Sequence, residues 1–196
     1  VRTCDVMEAA KLLRGSKIPV TAMISFPHGG SDTVIKVAEA QKAIEDGAEE
    51  LELVLNIGRL LSDRMEHVEQ DIKALHMVAY RKGVLLKVIL ETCYLPEKYK
   101  RMACRMVGRV GAAYVCNATG YGTETVTPEE IRLLVEYTPE PVKIKAAGGV
   151  RTLDQVLALI EAGAHRVGTG NARAILEEAA IRQKEGLAPL SAIHGL

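Results

Sequence analysis

Residues 33–57 read TVIKVAEAQKAIEDGAEELELVLNI: a helix-spaced stretch, a glycine, then a short apolar run. In 33–47 the apolar side chains recur at the spacing of one helix face, and Gly47 suits the C′ position that ends a helix. The run 50-ELELVLNI-57 is too short for a helix and reads as a strand. The same unit recurs outward in both directions. Strand-like runs stand at 19-PVTAMISF-26, 84-VLLKVILET-92, 112-AAYVCNAT-119, 141-PVKIKAAGG-149 and 165-HRVGTG-170. Helical spacing fills 65–83, 96–111, 127–138 and 152–163, with Gly83, Gly111 and Gly163 as further C′ glycines. Thr127, Pro128 and Glu130 predict a capped helix start, and Thr152 with Asp154 and Gln155 predicts another.

Apolar strands separated by helices imply a parallel sheet covered by helices, either a (β/α)8 barrel or an open doubly wound sheet. No GxGxxG follows the first strand, and polar residues stand at the C-terminal ends of nearly every strand. That pattern favours the barrel, whose site is assembled from those ends. Six strands are clear, and Val1–Cys4 reads as the tail of a seventh. The expectation is therefore a TIM barrel lacking its first one or two strands, a single domain over 1–196. The chain opens at Val1 rather than methionine, so further sequence upstream is expected.

At 196 residues and 48% apolar content the chain supports one sizeable core. Lysine plus arginine equals aspartate plus glutamate, 25 against 25, which gives no basic field for nucleic acid or an anionic membrane. Cys4, Cys93, Cys104 and Cys116 form no CxxC pair or Cys/His cluster, arguing against a metal site and a secreted disulfide framework and for a reducing cytoplasm. No run approaches the roughly 18 apolar residues of a membrane span. No cofactor is expected.

Strand parity sorts the polar residues. Lys87 and Glu91 share a face of one strand; Lys143 and Lys145 share a face of another. A lysine inside a tight barrel is costly unless paired or neutralised. Two such lysines with Glu52 nearby describe either a set of salt bridges or a Schiff-base or proton-transfer site. Gly148 and Gly149 before one helix, and Gly168, Thr169, Gly170 and Asn171 before another, present backbone N–H groups suited to a phosphate. Cys116 is either a small buried filler or a thiolate activated by Lys145. Cys93 and Cys104 read as structural, and His28 as a loop histidine near the pocket.

These residues resemble the deoxyribose-phosphate aldolase family, lyases that make or split 2-deoxyribose 5-phosphate through a lysine Schiff base. The resemblance is carried by 26–58, by 86-LKVILETC-93, by 119-TGYG-122 and by 145-KAAGGVRTLDQVLALIEAGAHRVGT-169. It implies that the first clear strand here matches the family's third, and that the aspartate of the family's first strand has no counterpart. Lys145 matches the second active-site lysine and Glu52 the acid/base aspartate. The imine-forming lysine position is occupied by Cys116, which cannot supply an iminium electron sink. Thr119 and Gly120 join the expected substrate- and phosphate-binding set, and Glu91 with Thr92 is expected to orient Lys87 or Lys145.

Three functions follow from this resemblance. One is an aldolase-like lyase on a phosphorylated sugar or small carbonyl compound, its imine on Lys145 or Lys87. The others are a different acid/base enzyme on the same barrel, and a non-catalytic sugar-phosphate-binding paralogue. The family's habit of assembling implies a homo-oligomer.

Overall fold

The computed structural model describes residues 1–186, so 187–196 of the expected single domain lie outside the described residues. Six strands alternate with helices: β1 (Thr21–Ile24), β2 (Glu50–Val54), β3 (Leu85–Ile89), β4 (Tyr114–Cys116), β5 (Lys143–Ala147) and β6 (Arg166–Gly168). All neighbouring strands pair in parallel, in the order β1-β2-β3-β4-β5-β6. A doubly wound sheet reverses its strand order at a switch point, and none is present among the described residues. The sheet also curls. Lys145 on β5 and Arg166 on β6 both reach carboxylates of β2, contacts that strands about 4.8 Å apart in a flat sheet could not make. This is six consecutive strands of a (β/α) barrel, as expected.

Residues before β1 continue the pattern. The Met23 N–H donates to Val1 O at 3.0 Å and the Val1 amino group to Thr21 O at 2.7 Å, the bonding of a parallel neighbour to β1. Val1 thus stands where the tail of a further strand was expected.

The helices are α1 (Val6–Leu12), α2 (Thr33–Glu45), α3 (Ile57–Leu61), α4 (Met65–Arg81), α5 (Glu97–Val110), α6 (Pro128–Tyr137), α7 (Leu153–Glu161) and α8 (Ala172–Lys184). Thr127 accepts from Glu130 N with Pro128 in the first turn, and Thr152 and Gln155 form a reciprocal capping box, as their sequences predict. Sequence periodicity missed α1, although Val6, Ala9, Ala10 and Leu13 carry its spacing and pack on the core. The single-turn α3 is too short for periodicity and starts because the Asn56 side chain accepts from Arg59 N.

The strands are wholly apolar only on the face toward the helices. Ala22, Ile24, Leu51, Leu53, Leu86, Val88, Val115, Ile144 and Ala146 form the core between sheet and helices. The inner faces instead carry Glu50, Glu52, Lys87 and Lys145, so the reading of wholly apolar strands applies to the helix-facing side. Two strands are shorter than their sequences suggested. β1 stops at Ile24 because Ser25 takes φ 55° and turns its N–H to Glu39. β4 stops at Cys116, where the Asn117 side chain takes over, accepting from Ala147 N at 2.7 Å and donating to Ala147 O at 2.9 Å. Among the described residues, no helix is long and apolar enough to cross a membrane.

Candidate active site

Inner-face side chains lie in layers set by the register. Met23, Glu52, Lys87 and Tyr114 are successive partners across β1 to β4, while Ile89, Cys116, Lys145 and Arg166 are partners from β3 to β6. Deep in the barrel Glu50 accepts from Lys87, from Arg166 at 2.7 Å and from Thr21 at 2.8 Å. Arg166 also stacks over the Tyr114 ring at 5.1 Å. Burial works against the Glu50 charge, and these hydrogen bonds outweigh it, holding the carboxyl down to about 2.

Glu52 lies one layer nearer the mouth and pairs with Lys145 through Oε1, which stands 3.8 Å from Lys87 Nζ. Its Oε2 is buried without a hydrogen-bond partner among the described residues. Lys87 is 1% exposed and wholly committed to Glu50, Glu52 and Thr21. Burial lowers its pKa. Lys145 keeps 14% of its side chain exposed. Burial opposes its charge too, but the adjoining Cys116 sulfur and the Glu52 carboxylate outweigh burial and raise its pKa.

Cys116 is fully buried and packs with Val54 and Ile89, against which Met23, Phe26 and Ala147 also rest. Its Sγ lies 3.5 Å from Ala118 O. Burial pushes the thiol up to about 12, despite the nearby Lys145 charge. The apolar ring thus caps the ion network, and Lys145 is the amine that passes it. Cys104 is likewise buried, within α5.

Glu91 and Thr92 do not orient either lysine, contrary to expectation. Glu91 takes φ 53°, which swings its carboxylate out of the barrel ladder to accept from Thr119 Oγ1 and, at 3.3 Å, from Thr119 N. Thr92 bonds Asn117 O and Glu130. The residues that do position Lys87 are Glu50 and Thr21, which parity on ELELV and on β1 could have revealed. Thr119 and Gly120 belong to a loop anchored from below by Glu91 and packed from the side, where Tyr121 meets Phe26 edge-on at 5.4 Å. His28 is exposed and lines a neighbouring pocket with Ser25 and Phe26.

The two glycine turns stand side by side. Thr169 Oγ1 donates to Val150 O at 2.8 Å and accepts from Asn171 N at 2.9 Å, tying the β6–α8 turn to the β5–α7 turn. Its hydroxyl is therefore spent on the scaffold, leaving backbone groups of Gly149 and Gly170 and the first turn of α8, where Asn171 provides no side-chain cap. A Cβ at Gly168 would lie 3.2 Å from Lys145 Cε, so these turns adjoin the amine directly. A Cβ at Gly149 would meet Thr125 at 2.6 Å, a close approach that requires glycine.

Fold and site together define a parallel α/β barrel enzyme scaffold with a lysine–carboxylate pair at the C-terminal mouth. The family model for DeoC/LacD family aldolases matches residues 4–178. A deoxyribose-phosphate aldolase of Treponema denticola is 42% identical over 176 residues, covering 90% of this chain and 82% of the relative. Among solved structures, the aldolase QR15 superposes with a TM-score of 0.89 at 34% identity, covering 94% of this chain and 81% of the other. A tetrameric deoxyribose phosphate aldolase from Aeropyrum pernix gives 0.84 at 28% identity, covering 91% and 75%. The chain belongs to the DeoC/LacD family of aldolases.

Proposed function

We propose that this chain catalyses reversible aldol cleavage of a phosphorylated sugar or small carbonyl compound, with Lys145 as its amine. The observation that carries this reading is the Lys145–Glu52 pair at the barrel mouth, beside the turns that suit a phosphate. Cleavage requires Lys145 to shed a proton, for which Glu52 is the adjacent acceptor. The amine then adds to the substrate carbonyl, water leaves, and an iminium forms. The breaking carbon–carbon bond places its electron pair in that iminium, giving an enamine, while a base removes the proton of the departing hydroxyl. Lys87 is an unsuitable amine because it is buried in its own ion pairs. Cys116 is unsuitable as a thiolate because its pKa lies near 12. It serves as part of the apolar rim.

Borohydride trapping with 2-deoxyribose 5-phosphate, followed by peptide mass mapping, tests this reading. A reduced adduct on Lys145 is expected. Because the Lys145 pKa is raised, the neutral amine becomes commoner with increasing pH, so the adduct yield should climb between about pH 7 and pH 10. Adduct on another residue, or turnover with no adduct, would sink the assignment. The raised pKa also favours a second reading, a sugar-phosphate-binding protein that does not turn its ligand over, and saturable binding with neither adduct nor product would select it.

The working form is a homo-oligomer in the cytoplasm. Exposed Leu12, Ile18, Val34 and Ile35 and four free thiols support this reading. Light scattering giving the 21.2 kDa mass of one chain would exclude the assembly.

A further inference from the structure

On the β1–β2 side of the mouth, away from the glycine turns of β5 and β6, a pocket of about 720 Å³ opens between the β2–α3 junction and the start of α4. Arg59, Ser62, Arg64 and His67 line it, with Asn56 at its base and Gly30 at its edge. Its lining has no carboxylate among the described residues. Asp63, the acid beside Arg64, accepts instead from Tyr99 at 3.0 Å and pairs with Lys98. Arg59, Arg64 and His67 form no ion pair among the described residues. Asn56 is 8% exposed, and its carboxamide oxygen is taken by Arg59 N, which orients the NH2 as a donor. Two free guanidinium groups, a hydroxyl and an amide donor facing one cavity suit a doubly charged oxyanion with several acceptors. The volume lies in the range of pockets that hold small organic ligands.

We propose that this pocket is a second phosphoryl-binding site, which takes the phosphate group of a small phosphate monoester through Arg59 and Arg64. It shares Gly30 with the pocket lined by Phe26 and His28, and Phe26 rests against the apolar rim around Cys116. A ligand held there lies on the flank of the mouth opposite the β5 and β6 turns. The proposal does not depend on the aldol chemistry.

Titrating inorganic phosphate at constant ionic strength into 15N-labelled protein tests it. The amide signals of Gly30, Gly58 and Ser62 are expected to move saturably. Arg59→Gln and Arg64→Gln should each weaken that response about tenfold, as expected for loss of one charge-assisted contact, and leave the response of Gly149 and Gly170 unchanged. Pocket signals that stay still, drift without saturating, or saturate equally in the double variant overturn the proposal. Should a variant not fold, phosphate protection of Arg59 and Arg64 from phenylglyoxal in the unaltered protein reads the same contact, and absence of protection overturns it. If Gly149 and Gly170 do not respond while the pocket saturates, the sugar-phosphate reading of the mouth fails and this site stands.

Discussion

A lysine introduced at position 116 would stand beside Lys145, because the two positions are register partners on β4 and β5. The Lys145 ammonium would then lower the pKa of its new neighbour and raise the fraction of free amine near neutrality. Cys116→Lys should therefore gain imine trapping at residue 116 and increase aldol turnover by about tenfold or more, a barrier lowered by about 1.4 kcal/mol. The same change overfills an apolar ring, so it should cost about 1–3 kcal/mol of stability in urea unfolding. A folded variant with no adduct at position 116 would show that the mouth is not a competent aldolase pocket. The sulfur position is legible in the sequence as an occupant of the family's imine-forming lysine position, whereas the thiol's inertness is not. Its pKa depends on Val54 and Ile89 excluding water, and these come from other strands.

The elements repeat a single idea, a helix ended by glycine and a strand ended by a side chain. The strand ends are where sequence reading faltered. The Asn117 carboxamide replaces a backbone rung between β4 and β5, a role that strand periodicity does not show. Asn117→Ala removes both bonds and leaves the Ala147 N–H and C=O unpaired. A loss of about 2 kcal/mol in unfolding free energy is expected, with looser binding at the Gly148–Gly149 turn that follows. Unchanged stability would mean that water replaces the carboxamide. Glu91 taught a similar lesson. Parity placed it with Lys87, and a single positive φ sent it to the loop instead. Parity holds only while the chain keeps strand dihedrals.

Among the described residues, the barrel interior holds two carboxylates among three cations. Glu50 is their hub, and its folded pKa of about 2 lies below the ordinary 4.5. A depressed acid stabilises the fold above its unfolded pKa, and that contribution disappears as pH falls from about 4.5 to 2. Its size is about 2 kcal/mol after allowance for solvent screening. Glu50→Gln should flatten the decline of the urea midpoint over that window and, near neutrality, cost about 3 kcal/mol by stranding Lys87 and Arg166. An equally steep decline in the variant would place the acid sensitivity elsewhere. The alternation of strand and helix, the caps and the sequential order of the strands were determined by the sequence itself, because periodicity and capping act over a few residues, whereas the pairing of Glu52 with Lys145 was not. Which lysine reaches the mouth, what Glu50 and Arg166 do, and where the unpaired arginines gather were decided only by the tertiary structure. Those properties depend on curvature, which brings β2 against β5 and β6 across the barrel, and no local spacing encodes that distance.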